Sequence, residues 1–452
     1  MESGSKSKRR EGQDMTSDLP DSIIGHILSF LSTKQAVRTS VLSKRWIHMW
    51  TFVTKLSFND RDSNDSYPSY NNISNKSVSF SKFVNRVLLH LNNATIQEFH
   101  LSLPENYDPN YINQWVSTVL NRGVKKINVS SKKERNTLRF PLFECQSLEE
   151  IVFKMIIRYS TMKPASFICL PSLTILKLVG IKFTCHSSNE LKQLTLSFPL
   201  LREYVTHDCV WSDVNRVTIE APLLESVDFS SNDKPIESLI IKFRSTHITK
   251  FSFECPISSQ TILLDDRHIP SAKLNIFDFD HCSAEESWIF IRRLLSLFTN
   301  AEYLDLCFDT LHEALTSVEH CLDCIPTFQM LAHLKLFCTS DVLLGILLKS
   351  PCLETLVVDV YEMQKFALVP DCFISTLKVV KFDDYFCGDG ELSFAKFVME
   401  NAKMLERISF VFSYCMSDSK VESAKKKLSL IKINSSKAIM DFSTSKSQLA
   451  SI

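Results

Sequence analysis

Segments with the internal spacing L-x-x-L-x-L recur along most of this chain, and few folds accommodate that pattern. They are SLEEIVFKM from residue 147, SLTILKLVG from 172, LLREYVTHD from 200, LLESVDFSS from 223, AEYLDLCFD from 301, MLAHLKLFC from 330, CLETLVVDV from 352 and TLKVVKFDD from 376. Where the register is clear, the leading leucines lie about 22 to 30 residues apart, which is the period of a solenoid. Pro171, Pro199, Pro222 and Pro351 place a break just ahead of several segments. Each repeat then offers one short strand and a return segment. The strands stack into a parallel sheet, and the leucines fill the space between sheet and return. The segments at 248–255 and 272–280 match poorly, so the repeat count between 235 and 300 stays open. Upstream, Phe80, Phe83, Val84, Val87, Leu88 and Leu91 form a helical apolar stripe. Residues 96–103 alternate as a strand, and a helix near Tyr111–Leu120 precedes a strand at 124–129. These read as irregular first repeats that cap the array.

Residues 18–50, DLPDSIIGHILSFLSTKQAVRTSVLSKRWIHMW, are of another kind. The spacing predicts three short amphipathic helices. Asp18 is placed to cap the first, with Pro20 in its first turn and Asp21 favoured by the helix dipole. Ile23, Ile24, Ile27, Leu28 and Leu31 come next at helical spacing. Ser32 with Gln35 makes a capping box for a second helix carrying Ala36, Val37, Val41 and Leu42. Ser43 is placed to cap a third, Lys44–Trp50, with Trp46 and Trp50 on one face. So small a unit is below the size that usually folds alone. It either packs on the downstream domain or completes its core on a partner.

LPDSIIGHILSFL followed by STKQAVRTSVLSKRWIHMW resembles the F-box of plant F-box proteins nearly position for position. Ser32 stands where many relatives have proline, and Met49 where leucine is common. Downstream, Ser350-Pro351-Cys352-Leu353-Glu354-Thr355-Leu356-Val357-Val358 is followed by 370–380, Phe386-Cys387-Gly388, Glu391-Leu392 and Asn401-Ala402-x-x-Leu405-Glu406-Arg407. This is similar to the FBD domain that ends many plant F-box/leucine-rich-repeat proteins. The expected fold is α/β: a three-helix F-box, then a leucine-rich-repeat solenoid with a parallel sheet. The expected domains are a basic tail at 1–15, the F-box at 16–58, and a linker at 59–77 rich in Asn, Ser and Asp. Leucine-rich repeats then run over 78–350, and an FBD-like region at 351–442 continues them.

The resemblance implies a substrate-recognition subunit of a cullin-based ubiquitin ligase, whose F-box binds a Skp-type adaptor and through it a cullin. The positions that match the motif are Leu19, Pro20, Ile23, Ile24, Ile27, Leu28, Val41, Leu42, Arg45 and Trp46, some of which must serve the module's own core. The repeats would hold a target protein near a ubiquitin-charged enzyme, raising its effective concentration while other subunits do the chemistry. On the exposed sheet face, Lys177, His207, Asp305, Lys335 and Asp359 project between the leucines as candidate target contacts. Two other readings stay open: a small-ligand receptor, and a repeat scaffold without ligase recruitment.

Composition supports no rival chemistry. Lysine plus arginine and aspartate plus glutamate each number 51, so no basic excess points to nucleic acid. Eight glycines, against about thirty at the ordinary frequency, leave no phosphate loop; Gly388-Asp389-Gly390 lacks the third glycine and its context. No signal peptide or long apolar span is visible, so the fourteen cysteines are expected to be reduced core thiols. Asn93-Ala94-Thr95 has the form of a glycosylation triplet, which carries no meaning without export. Cys321-Leu322-Asp323-Cys324, beside His320, is the one CxxC and lacks a second pair for zinc. His312-Glu313 has no second histidine four residues on. Asp265-Asp266 and Asp383-Asp384 read as solvated loop pairs. No cofactor, metal or catalytic set is expected. Lys6–Arg10 is a short basic run, and the expected location is nucleus and/or cytoplasm.

Overall fold

The computed structural model describes residues 19–444 apart from 63–72, 92–94, 105–106, 133–136, 140, 156–159, 164, 166, 185–192, 233–238, 258–260, 266–267, 278–283, 309–324, 338–339 and 360–367. Lys6–Arg10, Asp18, the Asn93 triplet's first two residues, Asp266, His312-Glu313, His320 and the CxxC lie outside the described residues. The chain forms two compact units, one up to Arg158 and one from Tyr159.

In the first unit two helices come first: α1, Asp21–Leu28, and α2, Thr33–Arg38. Pro20 is the N-cap of α1 and stands just before its first turn. The capping box of α2 forms as expected: Ser32 Oγ accepts from the Gln35 amide at 3.3 Å, and Gln35 Oε1 accepts from the Ser32 amide at 3.2 Å. The expected third helix does not form. Two short 3-10 turns replace it, at Arg45–Ile47 and Met49–Phe52, and the second helix stops at Arg38, short of Val41 and Leu42, with a further 3-10 turn at Thr39–Val41. Aromatic and β-branched residues crowd this stretch and lose side-chain freedom in an α-helix. Tight turns also let Met49, Thr51 and Val53 point inward together. Trp46 and Trp50 therefore do not share a helix face. α1 lies flush on the last turn: a Cβ on Gly25 would stand 2.7 Å from Phe52 Cβ.

Strand β1, Lys55–Asn59, buries Leu56 and Phe58 and pairs in parallel with β2, Glu98–Leu103. The sheet continues through β3, Lys126–Ser131, to β4, Glu150–Met155. This corrects the expectation that a linker at 59–77 isolates the F-box, because the sheet has already begun at Lys55. Asn59 belongs to β1, a 3-10 turn covers Asp60–Asp62, and helix α3, Ile73–His90, begins inside the expected linker. The free side of β1 faces α2, where Thr33 Oγ1 accepts the Ser57 amide at 2.7 Å. Helices α3 and α4, Pro109–Leu120, are the first returns. Trp115 Nε1 donates to Asn85 Oδ1 at 2.6 Å between them, and the Arg122 guanidinium caps the Leu88 carbonyl at the end of α3.

The second unit repeats the same idea. Its main sheet is parallel throughout: β5 Ile175–Val179, β6 Glu203–His207, β7 Ser226–Ser230, β8 Lys250–Pro256, β9 Ser271–Phe277, β10 Tyr303–Cys307, β11 His333–Phe337, β12 Thr355–Asp359, β13 Val379–Tyr385, β14 Arg407–Phe412 and β15 Ile439–Thr444. The repeats left open between 235 and 300 thus resolve into β8 and β9. Ala272, Leu304, Leu334, Leu356, Val380 and Ile408 stand side by side in register, each almost wholly buried. Phenylalanines thicken this core, with Phe382 stacked on Phe410 at 4.8 Å and Phe229 on Phe253 at 5.4 Å.

The returns of the early repeats in this unit are not helices. Phe167–Cys169, Gln193–Ser197, Arg216–Glu220, Ile240–Arg244 and Thr261–Leu264 form a second parallel sheet of five strands. Later returns are helical: α5 Ala284–Leu295, α6 Ser340–Leu348, α7 Asp371–Ser375, α8 Asp389–Asn401 and α9 Asp418–Ser429. Gly388-Asp389-Gly390 opens α8, where Glu391 folds back to accept the Gly388 amide at 2.6 Å. Among the described residues no helix is long and apolar enough to cross a membrane.

Candidate functional site

On the docking module the structure sorts the motif positions. Ile24 and Leu28 are 1% exposed and form the module's core, so the expectation that they contact a partner is corrected. Arg45 is committed internally: its guanidinium donates to the Leu19 carbonyl and pairs with Asp21 at 2.9 Å, clamping the start of α1. Pro20 is exposed, while Leu19 and Trp46 are half-buried. Ile23, Ile27, Val41 and Leu42 are 46%, 47%, 88% and 66% exposed, an unusual allotment for aliphatic side chains within one short segment. Sequence reasoning missed Phe30, Ile47 and Phe52, all exposed. Ile47 and Phe52 sit on 3-10 turns, which helical periodicity does not describe. Phe30 lies just past α1, where its amide still bonds to the Ile27 carbonyl at 3.3 Å and extends the helical sense.

Beside this surface lies a cleft of about 410 Å³, bounded by His26, Phe30, Leu31 and Ser32 on one side and by Thr54, Lys55, Gln97 and Glu98 on the other. A hydrogen bond from Lys55, at 2.9 Å, holds the Glu98 carboxyl below the usual range, so it is anionic and neutralised in place.

The five candidate target contacts all lie on main-sheet strands of the second unit, opposite the buried leucines. They do not form one patch. Lys177 and His207 occupy neighbouring strands β5 and β6, whereas Asp305, Lys335 and Asp359 occupy β10 to β12. Four strand steps separate β6 from β10, roughly 19 Å at ordinary spacing. Most are already matched: Lys177 meets Glu203 at 2.8 Å, His207 meets Asp228 at 3.0 Å, and Asp305 stands opposite Lys335 in register. Lys335 also approaches Asp383 at 4.0 Å, beside Lys381 at 3.0 Å.

Asp383 and Asp384, expected in a loop, instead lie within β13, where the pairing shifts between Phe382 and Tyr385 and Asp384 adopts φ 49°. That bulge brings carboxylates towards Asp359. Burial first, then the charges of Asp384, Asp383 and Glu391, push the Asp359 carboxyl up to about 7 against the pull of Lys335. Burial also pushes the Cys209 and Cys372 thiols up to about 12, as core thiols require. Among the described residues no group of three or more His, Cys, Asp and Glu is arranged to hold a metal ion.

Sequence comparison agrees with both ends of this architecture. The F-box domain family matches residues 16–56, and the FBD family matches residues 364–410. The F-box/LRR-repeat protein At4g14103 of Arabidopsis thaliana is 30% identical over 76% of this chain and 91% of its own length. The F-box/LRR-repeat protein At3g59200, from the same plant, is 26% identical over 94% of this chain and 87% of its own. This chain belongs to the plant F-box/LRR-repeat family with a C-terminal FBD domain.

Proposed function

We propose that the protein is a substrate-recognition subunit of an SCF-type, cullin-based ubiquitin ligase. Its F-box docks on a Skp-type adaptor and its repeats recruit a target protein. It works without catalytic residues of its own, by bringing the target close to a ubiquitin-charged enzyme. The observation that carries this reading is the exposure of four aliphatic side chains, Ile23, Ile27, Val41 and Leu42, within the segment that matches the F-box. Burying them on a partner removes apolar surface from water, the main driving term of association. The sheet face of the second unit suits a target because its side chains are outward, varied and fixed by neighbours.

The test uses the full chain, because β1 pairs with a strand beyond the F-box match. The native chain should bind a purified plant Skp-type adaptor in calorimetry, and a Val41→Asp, Leu42→Asp double variant should not. A folded native chain without affinity for any such adaptor overturns the reading in favour of a repeat scaffold.

A further inference from the structure

We infer that helix α9 and the segment behind it form a second docking surface, which takes an acidic polypeptide segment carrying an aliphatic side chain. This surface lies beyond the FBD match at 364–410 and belongs to neither the F-box nor the sheet face. It stands or falls independently of the adaptor reading.

Charge is distributed unevenly here. The whole chain carries as many acids as bases, yet residues 418–437 hold six lysines and two carboxylates. One of the six, Lys425, is answered by Glu422 at 2.9 Å. Lys420, Lys426, Lys427, Lys432 and Lys437 are all exposed and form no ion pair among the described residues. Val421, Ala424 and Leu428 are buried and fix the inward side of α9. At about 100° per residue, Ser419, Lys420, Ser423, Lys426, Lys427 and Leu430 fall within an arc of about 120° on the side away from them. No carboxylate lies in that arc: Asp418 and Glu422 fall on the flank that Lys425 shares. Leu430, the C-cap residue, keeps the helical sense and is 86% exposed. It stands near the middle of the arc, with Lys426 to one side and Lys427 to the other.

Helix stability does not account for these lysines. The dipole favours Lys426 and Lys427 near the last turn, but it disfavours Lys420 in the first turn. Lys432 and Lys437 lie past the helix altogether. Their segment is pinned: Asn434 donates its amide to the Met399 carbonyl at 2.8 Å, and Ser435 Oγ donates to the Leu405 carbonyl at 2.6 Å. Like charges are thus held together on a fixed scaffold, with an aliphatic side chain left in water among them. A partner that brings both carboxylates and carbon relieves both costs.

The spacing says which partner fits. Lys420 and Lys427 lie two turns apart, roughly 10 Å along the axis, which about three residues of extended chain span. Acidic residues on either side of one aliphatic residue match that arrangement. A lipid surface draws its hold from a broad apolar helix face, and this arc has a single leucine. A phosphate backbone offers nothing to cover it.

The experiment is fluorescence anisotropy of the full chain with a short labelled peptide in which glutamates flank a central leucine. The native chain should bind it at low salt and lose about tenfold in affinity at physiological salt. The triple variant Lys420→Glu, Lys426→Glu, Lys427→Glu should lose at least about tenfold at low salt, and Leu430→Ser about threefold, with thermal unfolding unchanged in both. If the triple variant fails to fold, Lys420→Gln with Lys427→Gln decides, with a loss of about threefold expected. Affinity within twofold of native for the charge-reversed chain or for Leu430→Ser overturns the inference. So does equal binding of a peptide with glutamines in place of the glutamates. A native chain that ignores the peptide overturns it too; if that chain sediments with vesicles containing phosphatidylserine, or shifts duplex DNA, the surface belongs to lipid or nucleic acid instead.

Discussion

The docking module and the outward face of the repeat sheet are both exposed surfaces, and they are built on opposite rules. The module leaves aliphatic side chains bare, with Val41 88% exposed. The sheet face of the second unit carries polar residues that answer one another across strands, as Lys177 answers Glu203 and His207 answers Asp228. The first surface is unfinished without a partner. The second is complete by itself, and a target must displace or exploit contacts that already exist. Association at the module should therefore rest on apolar burial and be insensitive to salt. Association at the sheet face should be electrostatic in character and weaken as salt rises.

The sharpest way to break this contrast is the Val41→Asp, Leu42→Asp variant. It should lower adaptor affinity on the order of 100-fold or more, since two charges would be buried without partners. Its unfolding temperature should match the native protein, because both side chains already face water. The reverse experiment is Leu304→Ala, deep in the leucine ladder. It should cost about 3 kcal/mol in chemical denaturation and leave adaptor binding untouched. Gly25→Val should separate core from surface within the module itself. Its side chain would meet Phe52 at under 3 Å, costing roughly 1–3 kcal/mol and accelerating amide exchange in α1 more than in β10.

A smaller effect concerns acid. The Asp359 carboxyl is raised to about 7 in the folded chain, so the folded state holds a proton that the unfolded state releases at lower pH. Between its ordinary value of 3.8 and about 7, the contribution of Asp359 to stability falls as pH rises. Asp359→Asn should flatten that slope, raising the unfolding temperature at pH 8 relative to native while leaving the two alike near pH 4. An unchanged profile would mean the carboxylates at the β13 bulge do not reach it. The smallest effect is expected from Lys177→Ala, a half-buried member of a surface pair, which should change stability by no more than about 0.5 kcal/mol.

Much of this is legible in the residues, and the parts that are not fail for identifiable reasons. Leucine spacing locates β5 to β7 and β10 to β13 because period-two burial against a shared core leaves a strong mark. The F-box helices announce themselves through Ser32 and Gln35, whose capping is local and needs no tertiary context. The region from Thr39 to Phe52 misleads because 3-10 turns keep helical spacing for only three or four residues. The strand returns of the second unit are invisible because their strands are short and their pairing is with other returns, a non-local fact. For the same reason β1 looks from sequence like the end of a module when it is the beginning of a sheet. At the site, sequence names the docking segment but does not tell its inside from its outside: Ile23 and Ile24 are adjacent and identical in type, and only packing separates them.

The bond from the Ser57 amide to Thr33 has one more consequence. A parallel sheet must begin somewhere, and its first strand presents a row of unpaired amides that invites other chains to add on. Here α2 lies against that strand, and a hydroxyl 1% exposed takes up one of its amides. The helices proposed to meet a specific partner thus also guard the sheet against unspecific ones. A chain cut to begin at Lys55 would lose the proposed adaptor contact and expose an aggregation template in the same stroke.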